Sequence, residues 1–151
     1  MLRDEINANL KNAMKARDQR RVSTLRLINS AFQSADIEAG GQGKGPLAEP
    51  ELLGLLQKMI KQRQESAEIY EKGGRAELAA QERAEIEIIS SYLPKQMSDV
   101  EAGSAIAAIV HEINAQGMKD MGRVMAALKE RFTGKLDFAK ASAKVKDLLK
   151  G

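Results

Sequence analysis

The sequence predicts an all-α protein, and three observations predict it. Aromatic residues are only 3% of the chain, Phe32, Phe132, Phe138, Tyr70 and Tyr92, with no Trp, whereas strands draw on aromatic and β-branched side chains. Apolar residues recur at spacings of three and four along most of the length, the period of a helix with one buried face. The remaining positions are rich in Ala, Leu, Glu, Lys and Gln, all good helix formers. With 151 residues, 43% hydrophobic and 30% charged, the composition is that of one ordinary globular domain or two small ones, not of a disordered chain.

Each helix has its own local reason. Leu2, Ile6, Leu10, Ala13 and Met14 line one stripe of the first. Asp18 is a candidate N-cap for the second, whose stripe of Val22, Leu25, Ile28 and Phe32 fades after Ile37. The stretch AGGQGKGP at 39–46 holds four glycines and a proline and is predicted to be a loop. Pro50 suits the first turn of a third helix, with Leu52, Leu56, Met59 and Ile60 inward. Gly73-Gly74 ends that helix, and a fourth runs from about Arg75 to Tyr92, before Pro94. These two are expected to form an antiparallel hairpin with arms of roughly five to six turns each.

Beyond Pro94, Ser98 and Glu101 have the spacing of a capping box. They open a fifth helix with Ala102, Ile106, Ile109, Val110 and Ile113 inward, and Gly117 is expected to close it. Met121, Val124, Met125, Leu128 and Phe132 line a sixth, ended by Gly134. Asp137 can cap a seventh, with Phe138, Ala141, Val145, Leu148 and Leu149 inside. The chain therefore reads as two domains, four helices over 1–94 and three over 95–151, joined by PKQMS. A unit of under about 60 residues is marginal alone, so docking between the two is expected. Met14, Met59, Met121 and Met125 fall on apolar stripes and read as core fillers.

Several chemistries are disfavoured by the residue inventory. There is no Cys and one His, His111, which leaves little for a thiolate metal site, a zinc site or a histidine-based triad. No cofactor or metal is expected. GGQGKGP has glycine and lysine but lacks the GK[ST] ending and preceding strand of a phosphate loop. No apolar run approaches the roughly 18 residues of a membrane span, so no membrane association is expected. The opening MLRDEINANLKNAMKARDQRR carries acidic residues early and has no secretory core. A cytoplasmic protein is the expectation.

Charge is patterned, although the net is only +3. Residues 1–94 hold 14 basic and 14 acidic side chains, and 95–151 hold 10 and 7, so the second part carries the whole surplus. Lys11, Lys15, Arg17, Arg20, Arg21 and Arg26 cluster against a single Asp18. Such a cluster is either a solvated face or a contact for backbone phosphates. Between Lys119 and Lys150 there are nine basic and four acidic residues. Phe132 and Phe138 lie on apolar stripes, so stacking platforms for single-stranded bases are nearly absent; any RNA bound is to be read by folded shape and phosphates. In the hairpin, Arg63 lies on the inward stripe of one arm, and Glu82 and Glu85 interrupt that of the other. An unpaired buried ion is costly, which predicts an interhelical Arg63–Glu82 or Arg63–Glu85 pair fixing the hairpin register.

Three stretches together carry a family resemblance: LKNAMKARDQRRVSTLRLINSA at 10–31, KMIKQRQESAEIYEKGGRAELAAQERAEIEIISSYLPKQMS at 58–98, and MGRVMAALKERFTG with the following KASAKVKDLL. In order and spacing they resemble the YqeY family of small bacterial proteins, over essentially the whole chain. That family is related to the C-terminal tail of GatB, a subunit of the amidotransferase that corrects mischarged glutamyl- or aspartyl-tRNA with glutamine as nitrogen donor. The tail holds tRNA, while the chemistry sits in a separate cradle domain that nothing here resembles. Similar tails extend some glutaminyl-tRNA synthetases.

The resemblance implies a helical, non-catalytic tRNA-binding accessory module, active in amide transfer only as part of a complex. Its implied partners are tRNA and an amidotransferase or aminoacyl-tRNA synthetase. Gly122, Lys129, Gly134 and Lys135 match the glycine–lysine pattern of the GatB tail, with Arg123 beside them. Where those tails favour Asn-Pro after the second glycine-lysine, this chain has Leu136-Asp137. Lys15, Arg20 and Arg21 are the RNA candidates of the basic turn. The alternative reading is a helical protein–protein adaptor that uses the acidic face at 65–87 and has no RNA role.

Overall fold

The computed structural model describes residues 1–150. Among them the regular structure is helical, without strands. The chain divides into two compact units, Met1–Leu93 and the residues from Pro94 on.

In the first unit, α1 (Leu2–Ala16) and α2 (Gln19–Gly41) pack side by side, as do α3 (Glu49–Lys72) and α4 (Ala76–Ser90). The Asp18 carboxylate accepts the Arg21 backbone N–H at 3.1 Å and so caps α2. Ile6, Leu25, Ile28, Phe32, Leu56 and Ile89 form the fully enclosed centre of the core, with Tyr92 closing it after α4. Polar ties hold the periphery. Arg3 reaches Asp36 on α2 at 2.8 Å and lies 5.7 Å from the centre of the Phe32 ring. The same Asp36 oxygen accepts the Leu47 N–H at 2.9 Å, clipping the loop before α3. Asn9 donates to the Tyr92 hydroxyl at 2.8 Å.

The hairpin arms differ in length. α3 has 24 residues and α4 has 15, against the near-equal arms expected. From α3 the core cluster takes the buried Leu52, Leu56 and Met59, with Leu53, Leu55 and Ile60 packed against them, all in the first half of the helix. Farther along, the arms meet through two small side chains, Ala67 and Ala79, 1% and 2% exposed. Small side chains at these points let the two backbones approach, with Tyr70 and Leu78 half-buried on the same stretch. The outer arm is then tied by Arg83 and Glu71 at 2.7 Å, and the chain reverses at Gly74, φ 74.

The predicted end of α2 moves. α2 continues through Gly40 and Gly41, inside the expected loop. Helical backbone is available to glycine; what stops the helix is Gly43, φ 77, with the Lys44 N–H turned back to the Ala39 carbonyl at 2.9 Å. Ala39, 7% exposed, anchors this last turn.

Thr24 is enclosed at 0% exposure, and its hydroxyl has no hydrogen-bond partner. Valine keeps the branched shape without the desolvated hydroxyl. Thr24→Val is therefore expected to stabilise the unit by about 1 kcal/mol, read as a melting temperature several degrees higher.

The second unit contains α5 (Asp99–Ile113), a 3-10 turn at Met118–Asp120, α6 (Met121–Phe132) and α7 (Phe138–Lys150). Ser98 and Glu101 form the capping box of α5, each side chain taking the other's backbone N–H at 3.1 Å. α5 ends earlier than expected, at Asn114 in the left-handed region, φ 58. Gly117 is extended and leads into the 3-10 turn. Asp137 caps α7 through the Ala139 and Lys140 N–H groups. The core is Ile106, Ile109, Val124, Leu128, Ala141 and Val145, with Leu136 from the connecting turn.

Not every stripe residue turns inward. Met14 is 50% exposed and Leu148 is 51% exposed, where both were expected inside. Each follows a residue that does face the core region or its edge, Ala13 or Val145 within one turn, and lies off the line of contact with the neighbouring helices. No described helix is long and apolar enough to cross a membrane.

Candidate nucleic-acid interface

The C-terminal candidates separate by what their atoms already do. Asp120, 9% exposed, accepts the Gln116 backbone N–H at 2.8 Å and Arg123 Nη1 at 3.2 Å. The Gln116 N–H, with Arg123 adding to it, holds the Asp120 carboxyl below its usual range. Arg123 also donates to the Ile113 carbonyl at 3.4 Å, so it braces the α5–α6 connection even though its side chain is largely open to solvent. Gly134 is buried with φ 78, a backbone that glycine adopts without strain. Its carbonyl accepts Gln96 Nε2, and the Lys135 carbonyl accepts the Met97 N–H at 2.8 Å. Gly134 and the Lys135 backbone therefore hold the segment that enters α5.

What stays available is narrower. The side chains of Lys129 and Lys135 are exposed and make no ion pair among the described residues. A Cβ on Gly122 would meet nothing within 4 Å, so this glycine is not needed for packing. Gly122, Ala126 and Lys129 share one exposed stripe of α6 at spacings of four and three. Arg131 is taken by both carboxylate oxygens of Glu112, each at 2.8 Å. This pairing lowers the Glu112 pKa. Sequence reasoning counted the lysines of α7 without placing them. Lys140 and Lys146 are exposed, outside the Ala141, Val145 and Leu149 stripe, whereas Lys144 donates to the Asp99 carbonyl at 3.1 Å. Helical phase was the signal that could have singled them out.

The N-terminal candidates belong to the other unit. Lys15 lies in the last turn of α1, and Arg20 and Arg21 in the first turn of α2. Lys15 and Arg20 are exposed, and Arg21 is half-buried. The structure brings these three together at one end of the α1–α2 pair.

In the hairpin, Arg63 Nε lies 2.9 Å from Glu85 Oε2, and Nη1 donates to the Met59 carbonyl at 3.2 Å. Glu85 is thus the partner of Arg63, and Glu82 makes no ion pair with it. Burial, together with the nearby charge of Glu85, raises the Glu82 pKa. A carboxyl whose folded pKa is raised destabilises the fold when ionised, fully so above that pKa, and not at all below its unfolded value. Glu82→Gln is accordingly expected to raise stability at neutral pH by roughly 0.5–1 kcal/mol. The gain should vanish on acidification through the ordinary carboxylate range, as followed by thermal melts at neutral pH and near pH 3.

Among the described residues, no group of three or more His, Cys, Asp or Glu is placed to hold a metal ion. His111 is exposed.

A family model described as Yqey-like protein matches residues 3–149. The chain belongs to the YqeY family. Its curated relatives include the fungal proteins named altered inheritance of mitochondria protein 41, mitochondrial. The one from Lachancea thermotolerans is 36% identical over 110 residues, covering 72% of this chain and 57% of the relative. That from Clavispora lusitaniae is 34% identical over 116 residues, covering 76% and 65%. The Pyrenophora tritici-repentis protein is 28% identical over 132 residues, covering 83% and 70%. The match thus spans a little over half to about two thirds of the first two relatives.

These relatives correct the expectation of a cytoplasmic protein: all three carry a mitochondrial name. The physical reason is that an address is read from a segment that need not belong to the folded module. The stripes and caps that build this module contain no information about compartment.

Proposed function

We propose that this YqeY-family chain is a non-catalytic tRNA-binding accessory module, serving an enzyme of tRNA aminoacylation or amidation. The observation that carries the reading is the division of labour among the basic side chains of the second unit. Arg123 and Arg131 are spent on Asp120 and Glu112. Lys129 and Lys135 stand exposed without ion pairs, in the last turn of α6 and in the turn after it, on a helix whose first turn is open at Gly122. Ammonium groups on flexible stems suit phosphates along a folded RNA, and each contact releases a counterion. The half-buried Phe132 and Phe138 pack against the core, which fits a surface that reads shape rather than stacked single-stranded bases.

The test is a titration of fluorescently labelled, folded tRNA with the purified protein up to high micromolar concentration, repeated across salt. Saturable binding is expected, weakening with salt along a log–log slope that reports roughly three to six phosphate contacts. Absence of binding at low salt refutes a free-standing tRNA binder.

A further inference from the structure

The corner between α1 and α2 holds a feature for which RNA has no use. An open groove of about 710 Å³ is lined there by Met14, Val22 and Leu27, by Arg17 and Arg26, and by the neutral polar residues Gln19, Ser23 and Ser30. Met14 and Leu27 are 50% and 42% exposed, so two large apolar side chains stand in water beside two arginines. Neither arginine makes an ion pair among the described residues.

The corner also carries two local costs. Arg17 ends α1 at φ 57 and ψ 33, a left-handed conformation that strains residues with a Cβ and suits glycine. Arg20 and Arg21 begin α2, whose first turn has no acidic residue. The Asp18 carboxylate caps this end, and the two arginines add positive charge beside it at the positive end of the helix dipole. The left-handed turn closes the end of α1 through the Arg17 and Asp18 N–H groups on the Met14 and Ala13 carbonyls, and an anionic partner would offset the positive charge gathered at the start of α2.

We infer that this groove docks an acidic amphipathic helix from a protein partner. Its apolar face would cover Met14, Val22 and Leu27, and its carboxylates would meet Arg17 and Arg26. The apolar lining selects protein over nucleic acid. Phosphates are answered by cations and hydrogen-bond donors, whereas the exposed apolar side chains of a groove are answered by side chains that exclude water from it. Arginine adds two-pronged recognition of carboxylates. Lys11, Lys15, Arg20 and Arg21 surround the contact and steer an acidic segment toward it. This assigns Lys15, Arg20 and Arg21 to a protein partner instead of RNA, and it holds whether or not the second unit binds tRNA.

The experiment is selection of a displayed library of random peptides, each about four helical turns long, on the full chain. Enriched peptides are then measured by fluorescence anisotropy on the parent, Leu27→Glu and Arg17→Gly proteins. Enrichment is expected for Asp and Glu flanking apolar residues at spacings of three and four. Affinity is expected to fall about tenfold or more on Leu27→Glu, which sets a charge under the apolar face of an acidic peptide, and by a smaller factor on Arg17→Gly. Arg17→Gly should melt no lower than the parent, because glycine accepts the left-handed conformation, so its weaker binding is not a failure of folding. The inference is overturned if nothing is enriched, if the enriched peptides are not acidic, or if they bind Leu27→Glu as well as the parent. Folded tRNA titrated on the same variants gives the remaining outcome. Loss of tRNA binding on Leu27→Glu makes the groove part of an RNA surface and likewise overturns the assignment.

Discussion

Replacing Arg63 with alanine is expected to destabilise the first unit by about 3 kcal/mol, the scale of stranding one partner of a buried ion pair. Arg63 and Glu85 are 15% and 12% exposed, so water can compensate Glu85 only in part once the guanidinium is gone. The Met59 carbonyl, which accepts Nη1 at 3.2 Å, is deprived of a donor as well. The fully buried side chains of the outer hairpin are the small Ala67 and Ala79, so large enclosed apolar contacts do not offset the loss there. For a unit of this size the destabilisation corresponds to a fall in melting temperature on the order of 15 °C, measured by circular dichroism. Arg63→Met combined with Glu85→Leu should recover much of it, because apolar residues of similar volume can replace a buried pair. A melting temperature unchanged in Arg63→Ala would mean that the pair does not hold the hairpin.

Reversing Lys129 and Lys135 together, as Lys129→Glu with Lys135→Glu, is expected to weaken tRNA binding at least about tenfold near physiological salt. The log–log salt slope should become shallower by about two, one for each phosphate that no longer meets a lysine. Thermal stability should stay close to that of the parent, because both side chains are exposed and outside the ion pairs of this unit. Arg123→Ala makes the useful contrast. It removes a donor from the nearly buried Asp120, so its main effect is expected on stability. Unchanged tRNA affinity in the double reversal would remove the α6 face from the RNA-binding reading.

The two candidate surfaces differ in kind. The α6 face offers exposed lysines and an open backbone glycine, and the α1–α2 groove combines exposed apolar side chains with arginine. A module with both could hold RNA with one unit and a protein with the other. Such a division suits an accessory factor, which acts by bringing a substrate and an enzyme together rather than by chemistry of its own.

Much of the architecture was legible because its signals act over a few residues. Asp18, Ser98 with Glu101, and Asp137 each cap the helix that follows them, through side-chain bonds spanning no more than three positions. The helical period picked out Ile6, Ile28, Phe32, Leu56, Ile106, Val124 and Val145, all at the centres of the two cores. Helix ends in runs of turn-prone residues were less legible. Gly40 and Gly41 stay helical and Gly43 makes the turn, while Asn114 ends α5 ahead of Gly117. Composition marks where such a stop is possible. Which residue takes the left-handed conformation depends on where packing of the last turn gives out, as at Ala39.

The sequence alone therefore determined the fold class, the order of the helices, their caps and most of their buried faces. All of these follow from hydrogen bonding and apolar periodicity within a turn or two. Only the tertiary structure decided that Glu85 rather than Glu82 meets Arg63, that Arg123 is a brace while Lys129 stays open, and that Met14 lines a groove instead of the core. Neighbouring positions on a helix point about 100° apart, and local sequence leaves several of them compatible with burial. The helix packed alongside selects among them, because it alone sets where the apolar contact ends and where a charge finds its partner.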